Sequence, residues 1–188
     1  VTLAYGCQKR IRIVFAPWVI INLLGQGADT LALLTIVVHL AGSWMAPQIG
    51  KLLDHLGVKK TLWAEAVYIL ITFTLMGLVA GMLADGTSGG WQSWVVFAAY
   101  VICMLFDQFG MVHSFMMRSI ALELSEVTRT LSVGLGVDHV MAIVVSPIMG
   151  MIWEGLGVQY VFYLAALSAL LQIAASGMLK KDIRRAKV

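Results

Sequence analysis

This chain contains six apolar runs, each longer than 20 residues, and all but the first are almost free of charge. A transmembrane α-helix needs about 20 consecutive apolar residues. A soluble core could not bury this much apolar surface, because 60% of the 188 residues are hydrophobic and only 12% are charged. The runs also lack the alternation of β-strands. The sequence therefore predicts an all-α, multi-pass membrane protein built as a helical bundle.

Five of these runs are uninterrupted, and the first is not. Run 3–24 carries three basic residues near its middle, but it is apolar from residue 13 onward apart from Asn22. Short polar or glycine-rich segments separate the runs, and the longest of them is 123–130. We therefore predict one domain over 1–188, with spans at 3–24 (partial), 28–53, 61–84, 91–117, 131–153 and 158–179 and a tail at 180–188.

The basic residues predict how the chain is oriented. Three of the 13 Lys and Arg residues lie in the first run, and all the others lie in alternate connections or in the tail. The basic segments are 51–60, 118–129 and 180–188, whereas 25–29, 85–90 and 154–157 contain no Lys or Arg. By the positive-inside rule, the basic segments and the C-terminus are cytoplasmic, and we expect the plasma membrane. Because the first run begins abruptly at Val1, we expect the chain to be part of a longer protein.

Segment 50–60 reads Gly-Lys-Leu-Leu-Asp-His-Leu-Gly-Val-Lys-Lys. It resembles the G-x-x-x-D-R-x-G-R-R loop of the major facilitator superfamily, which follows the second helix of each six-helix half. His55 replaces the usual Arg, and Val58 shifts the basic pair by one position. Segment 130–162, with P-x-x-G at 147–150, looks like the fifth and sixth helices of the C-terminal half. The resemblance implies a secondary transporter that moves a small solute by alternating access, together with a missing N-terminal half.

The chemistry of segment 50–60 agrees with a gate. Gly50 permits close approach of a neighbouring helix, and Gly57 permits a tight reversal. An acid at a membrane boundary requires a cation or a helix N-terminus as partner, and Arg118 is the first candidate for Asp54. The resemblance implies an ion pair that latches the cytoplasmic gate in one conformation. The alternative is a capping acid beside lysines that only set topology. The predicted gating residues are Gly50, Asp54, Gly57, Lys59, Lys60 and Arg118.

Ionisable side chains inside the spans form the predicted site. A charge at mid-membrane is costly, so it usually faces a water-filled cavity or a partner. The resemblance implies that the first and fourth helices line the central cavity and that the fifth lies between the halves. The candidates are Lys9, Arg10 and Arg12 on the first helix, Asp107, Gln108 and His113 on the fourth, and Asp138 and His139 on the fifth.

Three roles for these groups remain open. The basic cluster could bind an anionic solute. An aspartate together with a histidine could take up and release a proton, since histidine titrates near physiological pH. Alternatively, the charges could pair internally and fix helix packing, for example Arg10 or Arg12 with Asp107. The predicted partners are accordingly a small solute, anionic or proton-coupled, and the lipid bilayer.

Other classes of function find little support. The sequence contains no H-E-x-x-H, no G-x-S-x-G and no paired cysteine ligands, so no enzyme activity, cofactor or metal site is predicted. The basic tail fits topology and attraction to anionic lipid better than nucleic-acid binding. A membrane-embedded accessory or assembly subunit without transport activity remains the alternative.

Overall fold

The computed structural model describes residues 2–86, 90–120 and 124–178. Within these ranges the chain is helical and contains no strand, which confirms the prediction of an all-α protein. A π-helical turn, Val19–Leu23, continues the first helix, and a 3₁₀ segment, Leu105–Phe109, joins the third helix to the fourth. The α-helices are α1 (Thr2–Trp18), α2 (Ala28–Ala84), α3 (Gly90–Met104), α4 (Gly110–Ile120), α5 (Leu124–Gly155) and α6 (Val158–Gly177).

Four stretches of the described chain are long and apolar enough to cross a membrane, as expected of an integral membrane protein. Helix α1 is not among them, because it has 17 residues and carries three basic side chains. The predicted span at 3–24 is therefore the weakest on these criteria. The four stretches are Ala28–Ala84, Gly90–Arg118, Glu126–Gly155 and Val158–Gly177.

Helix α2 is one hydrogen-bonded element of 57 residues, but it is not straight. At 1.5 Å per residue a straight helix of this length would extend about 85 Å, far more than a bilayer is thick. Gly57 breaks it, because its backbone angles (φ 75°, ψ 168°) are not helical and are essentially confined to glycine. Thr61 Oγ1 donates to the Gly57 carbonyl oxygen at 2.9 Å, a bond within the first turn of the helix that follows the break.

The two parts of α2 run in opposite directions. Along 28–56, residues with higher numbers contact residues with higher numbers in α3 and its 3₁₀ extension, so this part runs parallel to them. Along 58–84, residues with higher numbers contact residues with lower numbers in the segment from α3 to α4, so this part runs antiparallel to it. The pairs are Thr35–Tyr100 and Gly42–Gln108 for the first part, and Glu65–His113 and Tyr68–Ile102 for the second.

Two connections are shorter in the structure than predicted. Segment 54–60 is helical except at Gly57, and α5 begins at Leu124, seven residues before the predicted start of its span. Both differences have the same reason. Apolar runs show where a helix meets hydrocarbon, whereas Lys, Glu, Leu and Arg continue a helix readily beyond it. Residues 87–89, 121–123 and 179–188, including the predicted tail, lie outside the described part.

The core forms where the second part of α2 lies against α6. A side chain at Gly77 would collide with the Tyr163 ring, since its Cβ would lie 2.5 Å from Cε1. The rings of Phe73 and Phe162 stack at 6.4 Å between centroids. Lys59 Nζ donates to the Gly177 carbonyl oxygen at 2.7 Å. Segment 54–60 and the end of α6 therefore lie at the same end of the bundle.

Two surfaces expose many large apolar side chains. One lies on the first part of α2 and the other on α5, whose window of 18 membrane-compatible residues is the least buried of the four. In a bilayer such surfaces must face lipid or further helices. The exposed residues include Leu33, Ile36, Leu40 and Trp44 on α2 and Val133, Val140, Ile143, Ile148 and Met151 on α5.

Candidate functional site

The candidate site lies where α1 crosses the 3₁₀ segment between α3 and α4. The Arg12 side chain is 2% exposed, and its Nη2 donates to Asp107 Oδ1 at 2.8 Å. Its Nη1 donates to the Met104 carbonyl oxygen at 3.1 Å, and its Cζ lies 5.4 Å from the centroid of the Phe106 ring. Arg12 therefore donates hydrogen bonds to a carboxylate and to a backbone carbonyl, and its guanidinium group lies beside an aromatic ring.

Side chains from two other helices bond to carbonyls just before the 3₁₀ segment. A backbone carbonyl oxygen has two lone pairs, so it can accept from a side chain in addition to a backbone N–H group. Arg12 donates to the carbonyl of Met104, and the Tyr68 hydroxyl donates to that of Ile102. Side chains from α1 and α2 thus stabilise the irregular segment. In membrane proteins, irregular backbone at membrane depth is tolerated where it is buried in protein or lines a cavity.

A second ion pair joins α1 to α5. Lys9 Nζ lies 2.8 Å from Asp138 Oδ2, and the two side chains are 28% and 14% exposed. Gly6 makes the approach possible, because a Cβ there would lie only 3.2 Å from Asp138 Oδ1. That oxygen is buried and has no hydrogen-bond partner in the described part of the chain. This pair was not predicted, since Lys9 and Asp138 are far apart in sequence.

A third polar cluster lies between α1, α2, α4 and α6. His113 Nε2 is 2.8 Å from Glu65 Oε1 and 2.9 Å from Oε2, and Gln172 Nε2 donates to Oε2 at 3.0 Å. The Tyr5 ring stacks on His113 with centroids 3.8 Å apart. Glu65 was not among the predicted site residues, although it is the only charged residue in the predicted span 61–84. A lone carboxylate inside an apolar run was the signal that could have found it.

Several predicted site residues remain outside these contacts. Arg10 is half-buried and forms no ion pair with the described residues. The Gln108 side chain packs against Gly42, where a Cβ would lie 2.7 Å from its Nε2. His139 is exposed. The structure thus pairs Lys9 with Asp138 and Arg12 with Asp107, and it places His113 beside Glu65.

The predicted gating residues lie at the end of the bundle where α2 reverses. Asp54, Lys60 and Arg118 are exposed, and no ion pair joins Asp54 to Arg118 within the described ranges. Gly50 is helical, with open space where a Cβ would be. The latch therefore stays a prediction about a different conformation, whereas Gly57 has the positive φ that a reversal requires.

The charge balance bears on the three predicted roles. Arg12 and Lys9 each have a carboxylate at 2.8 Å, so neither is an uncompensated cation. Internal pairing is what the structure shows for these two residues. Asp107 is different, because its side chain is 58% exposed and can be reached from outside the helix contact. Among the described residues, no group of three or more His, Cys, Asp or Glu could hold a metal ion.

Comparison with protein-family models gave no match, and neither did comparison with curated proteins or with solved structures. The resemblance to the major facilitator superfamily therefore depends on the residues of segment 50–60 and of segment 130–162. The function must be argued from those residues and from the geometry of the three polar clusters.

Proposed function

We propose that this chain is one half of a secondary transporter that moves a small solute by alternating access. The observation that carries the proposal is the pair of ion pairs, Arg12–Asp107 and Lys9–Asp138, which join the basic helix α1 to two membrane-compatible stretches of the chain. A buried ion pair seldom stabilises a protein more than apolar residues of similar size would. Charged residues inside membrane helices commonly mark a substrate or ion pathway. A role in transport explains their presence better than stability does.

The arrangement of the helices supports the same proposal. In the facilitator fold the first and fourth helices of a half line the cavity, and the second and fifth meet the other half. Here α1 and the α3–α4 segment carry Arg12 and Asp107, while 28–56 and α5 expose apolar surface. We propose that the missing N-terminal half covers part of that surface. The rest faces lipid.

We propose that Asp107 is the group at which the solute or a proton acts. Its carboxylate is exposed, whereas Arg12 is buried and held also by the Met104 carbonyl. Protonation of Asp107, or competition by an ionic group of the solute, would release Arg12 from its counter-ion. A ligand shifts a conformational equilibrium only through such a difference in interaction between two states. The solute class proposed is accordingly anionic or proton-coupled.

We also propose that the basic end of the bundle is cytoplasmic, in the plasma membrane. Lys59, which belongs to the basic segment 51–60, contacts the Gly177 carbonyl oxygen at this end. On this proposal Asp54 and Arg118 pair when the transporter closes toward the cytoplasm. Their separation here then represents the open gate.

The test is uptake by the complete encoded protein, reconstituted in liposomes with and without a pH gradient and offered a panel of labelled anions, sugars and amino acids. We expect accumulation of at least one solute and a loss of at least tenfold in Asp107→Asn. The exposed acid Asp85 supplies the matched control, because Asp85→Asn should transport normally. If no solute enters and the protein instead copurifies stoichiometrically with another membrane protein, the accessory-subunit alternative is correct.

A further inference from the structure

The cluster around Glu65 differs from the two salt bridges because it is fully enclosed. Glu65 and Gln172 are 0% exposed, and His113 is 4% exposed. Glu65 Oε2 accepts a hydrogen bond from Gln172 Nε2 at 3.0 Å, and His113 Nε2 lies within hydrogen-bond distance of both carboxylate oxygens, at 2.8 and 2.9 Å. His113 Nδ1 is buried and has no hydrogen-bond partner in the described part of the chain. An isolated polar cluster of this kind needs a reason to exist inside apolar helices.

The net charge of the Glu65–His113 pair depends on how many protons the two side chains carry. With Glu65 ionised and His113 neutral, the pair carries a net negative charge in an enclosed apolar site, which is strongly unfavourable. One added proton makes the pair neutral, whether it is found on the carboxyl group or on the imidazole. Because the two groups are in direct contact, that proton belongs to the pair rather than to either residue. The favoured form of the enclosed pair therefore contains one dissociable proton.

The surrounding groups do not supply that missing positive charge. Tyr5 on α1 stacks on His113, and Gln172 on α6 is neutral. Helix α1 carries three cations: Lys9 and Arg12 are each paired with an aspartate, and Arg10 forms no ion pair with Glu65 in the described part of the chain. On its own helices the pair has no other charged side chain within one turn. A proton is the one cation that this arrangement accepts without rearrangement.

The position of the cluster along the bundle follows from helix rise. Glu65 lies six residues beyond Lys59, so it is about 9 Å inside the basic end. His113 lies six residues beyond Asp107, which places the cluster about 9 Å from the Arg12–Asp107 pair. The cluster is therefore a separate layer between that pair and the basic end of the bundle.

We propose that Glu65 and His113 form a proton-binding site, distinct from the two salt bridges, that holds one exchangeable proton between the two side chains. The proton leaves when the helices separate enough for water to reach the pair, and it returns when they close. Its linkage to solute movement rests on the proposed transport function. The proton site itself does not, because it follows from the contacts of Glu65, His113 and Gln172.

The experiment is a proton count on the purified chain in lipid nanodiscs, without any solute. The protein is taken from neutral to alkaline pH in weakly buffered solution, and the protons released are measured with an indicator dye. We expect Glu65→Gln to release one proton fewer than the unmodified chain. The matched control is Glu154→Gln, an exposed acid at the end of α5, which should release the same number as the unmodified chain.

A second measurement guards against a variant that fails to fold. Ring nitrogens of ¹⁵N-labelled histidine are followed by NMR in the unmodified chain, with His113 assigned through His113→Gln. We expect the ring-nitrogen signals of His113 to lie apart from those of the exposed His39, His55 and His139, because His113 Nε2 contacts Glu65. Equal proton release by Glu65→Gln and the unmodified chain, or His113 signals that coincide with those of the exposed histidines, would overturn the site. Absence of solute transport would count only against the proposed function.

Discussion

The coupling between Arg12 and Asp107 can be measured with a double-mutant cycle. The single changes are Asp107→Ala and Arg12→Met, followed by the double variant. Asp107→Ala leaves a buried guanidinium, 2% exposed, without its counter-ion. Arg12→Met removes the same ion pair and also leaves the Met104 carbonyl without the donor that lies 3.1 Å away.

The expected losses in the free energy of unfolding follow from how deeply each side chain is buried. Removing one partner of a fully buried ion pair costs about 3–5 kcal/mol, whereas hydrogen bonds between membrane helices average about 0.6 kcal/mol. Because the Asp107 side chain is 58% exposed, we expect Asp107→Ala to lower the free energy of unfolding by about 2 kcal/mol, a value between these limits. Arg12→Met should lose about 3 kcal/mol, since an unpaired buried carbonyl adds roughly 1 kcal/mol or more.

The double variant decides the question. If the two sites were independent, the double variant would lose about 5 kcal/mol of unfolding free energy, the sum of the single losses. Because the ion pair can be lost only once, we expect the double variant to lose about 3 kcal/mol. The free energy of unfolding is measured by circular dichroism as SDS is added to the chain in mixed micelles. Asp85→Asn, at an exposed acid, should change it by less than about 0.5 kcal/mol. A coupling energy below about 0.5 kcal/mol would show that the contact between Arg12 and Asp107 has no energetic role.

Three further predictions concern helix geometry and the gate. Gly57→Ala should reduce the free energy of unfolding by about 1–3 kcal/mol, because φ 75° and ψ 168° are strained for alanine; Gly50→Ala, a helical site with open space, should be neutral or slightly stabilising in the same SDS titration. Gly77→Ala should be destabilising by about 1 kcal/mol, since the collision with Tyr163 outweighs the gain in helix propensity; a stabilised variant would contradict the close contact. Asp54→Asn in the complete protein should slow solute uptake at unchanged expression, and unchanged uptake kinetics would refute the gate latch.

The fold was predictable to the extent that it depends on local sequence. The apolar runs predicted helices, because only a helix satisfies its own backbone hydrogen bonds within hydrocarbon. The same runs could not reveal that α5 starts at Leu124, since the residues before the apolar part are helix formers that hydropathy does not register. They also could not show the 3₁₀ segment at Leu105–Phe109, next to which Arg12 and Tyr68 donate to the backbone carbonyls of Met104 and Ile102.

The candidate site was predictable only in part. A charge inside an apolar run signals a partner or a cavity, so the sequence is enough to single out Lys9, Arg12, Asp107 and Asp138. The pairing of Arg12 with Asp107 was one of the alternatives. Glu65 carried the same signal and was overlooked, although no other charged residue lies in its span.

Run length and charge content can be read along the chain, so the sequence was enough to predict helices suited to a membrane. Which acid pairs with each base depends on how those helices pack. Lys9 and Arg12 are three residues apart, so they point about 60° apart around α1, and that difference directs one to α5 and the other to the 3₁₀ segment. Rotation and crossing of packed helices set such choices, and no spacing within a single run contains them.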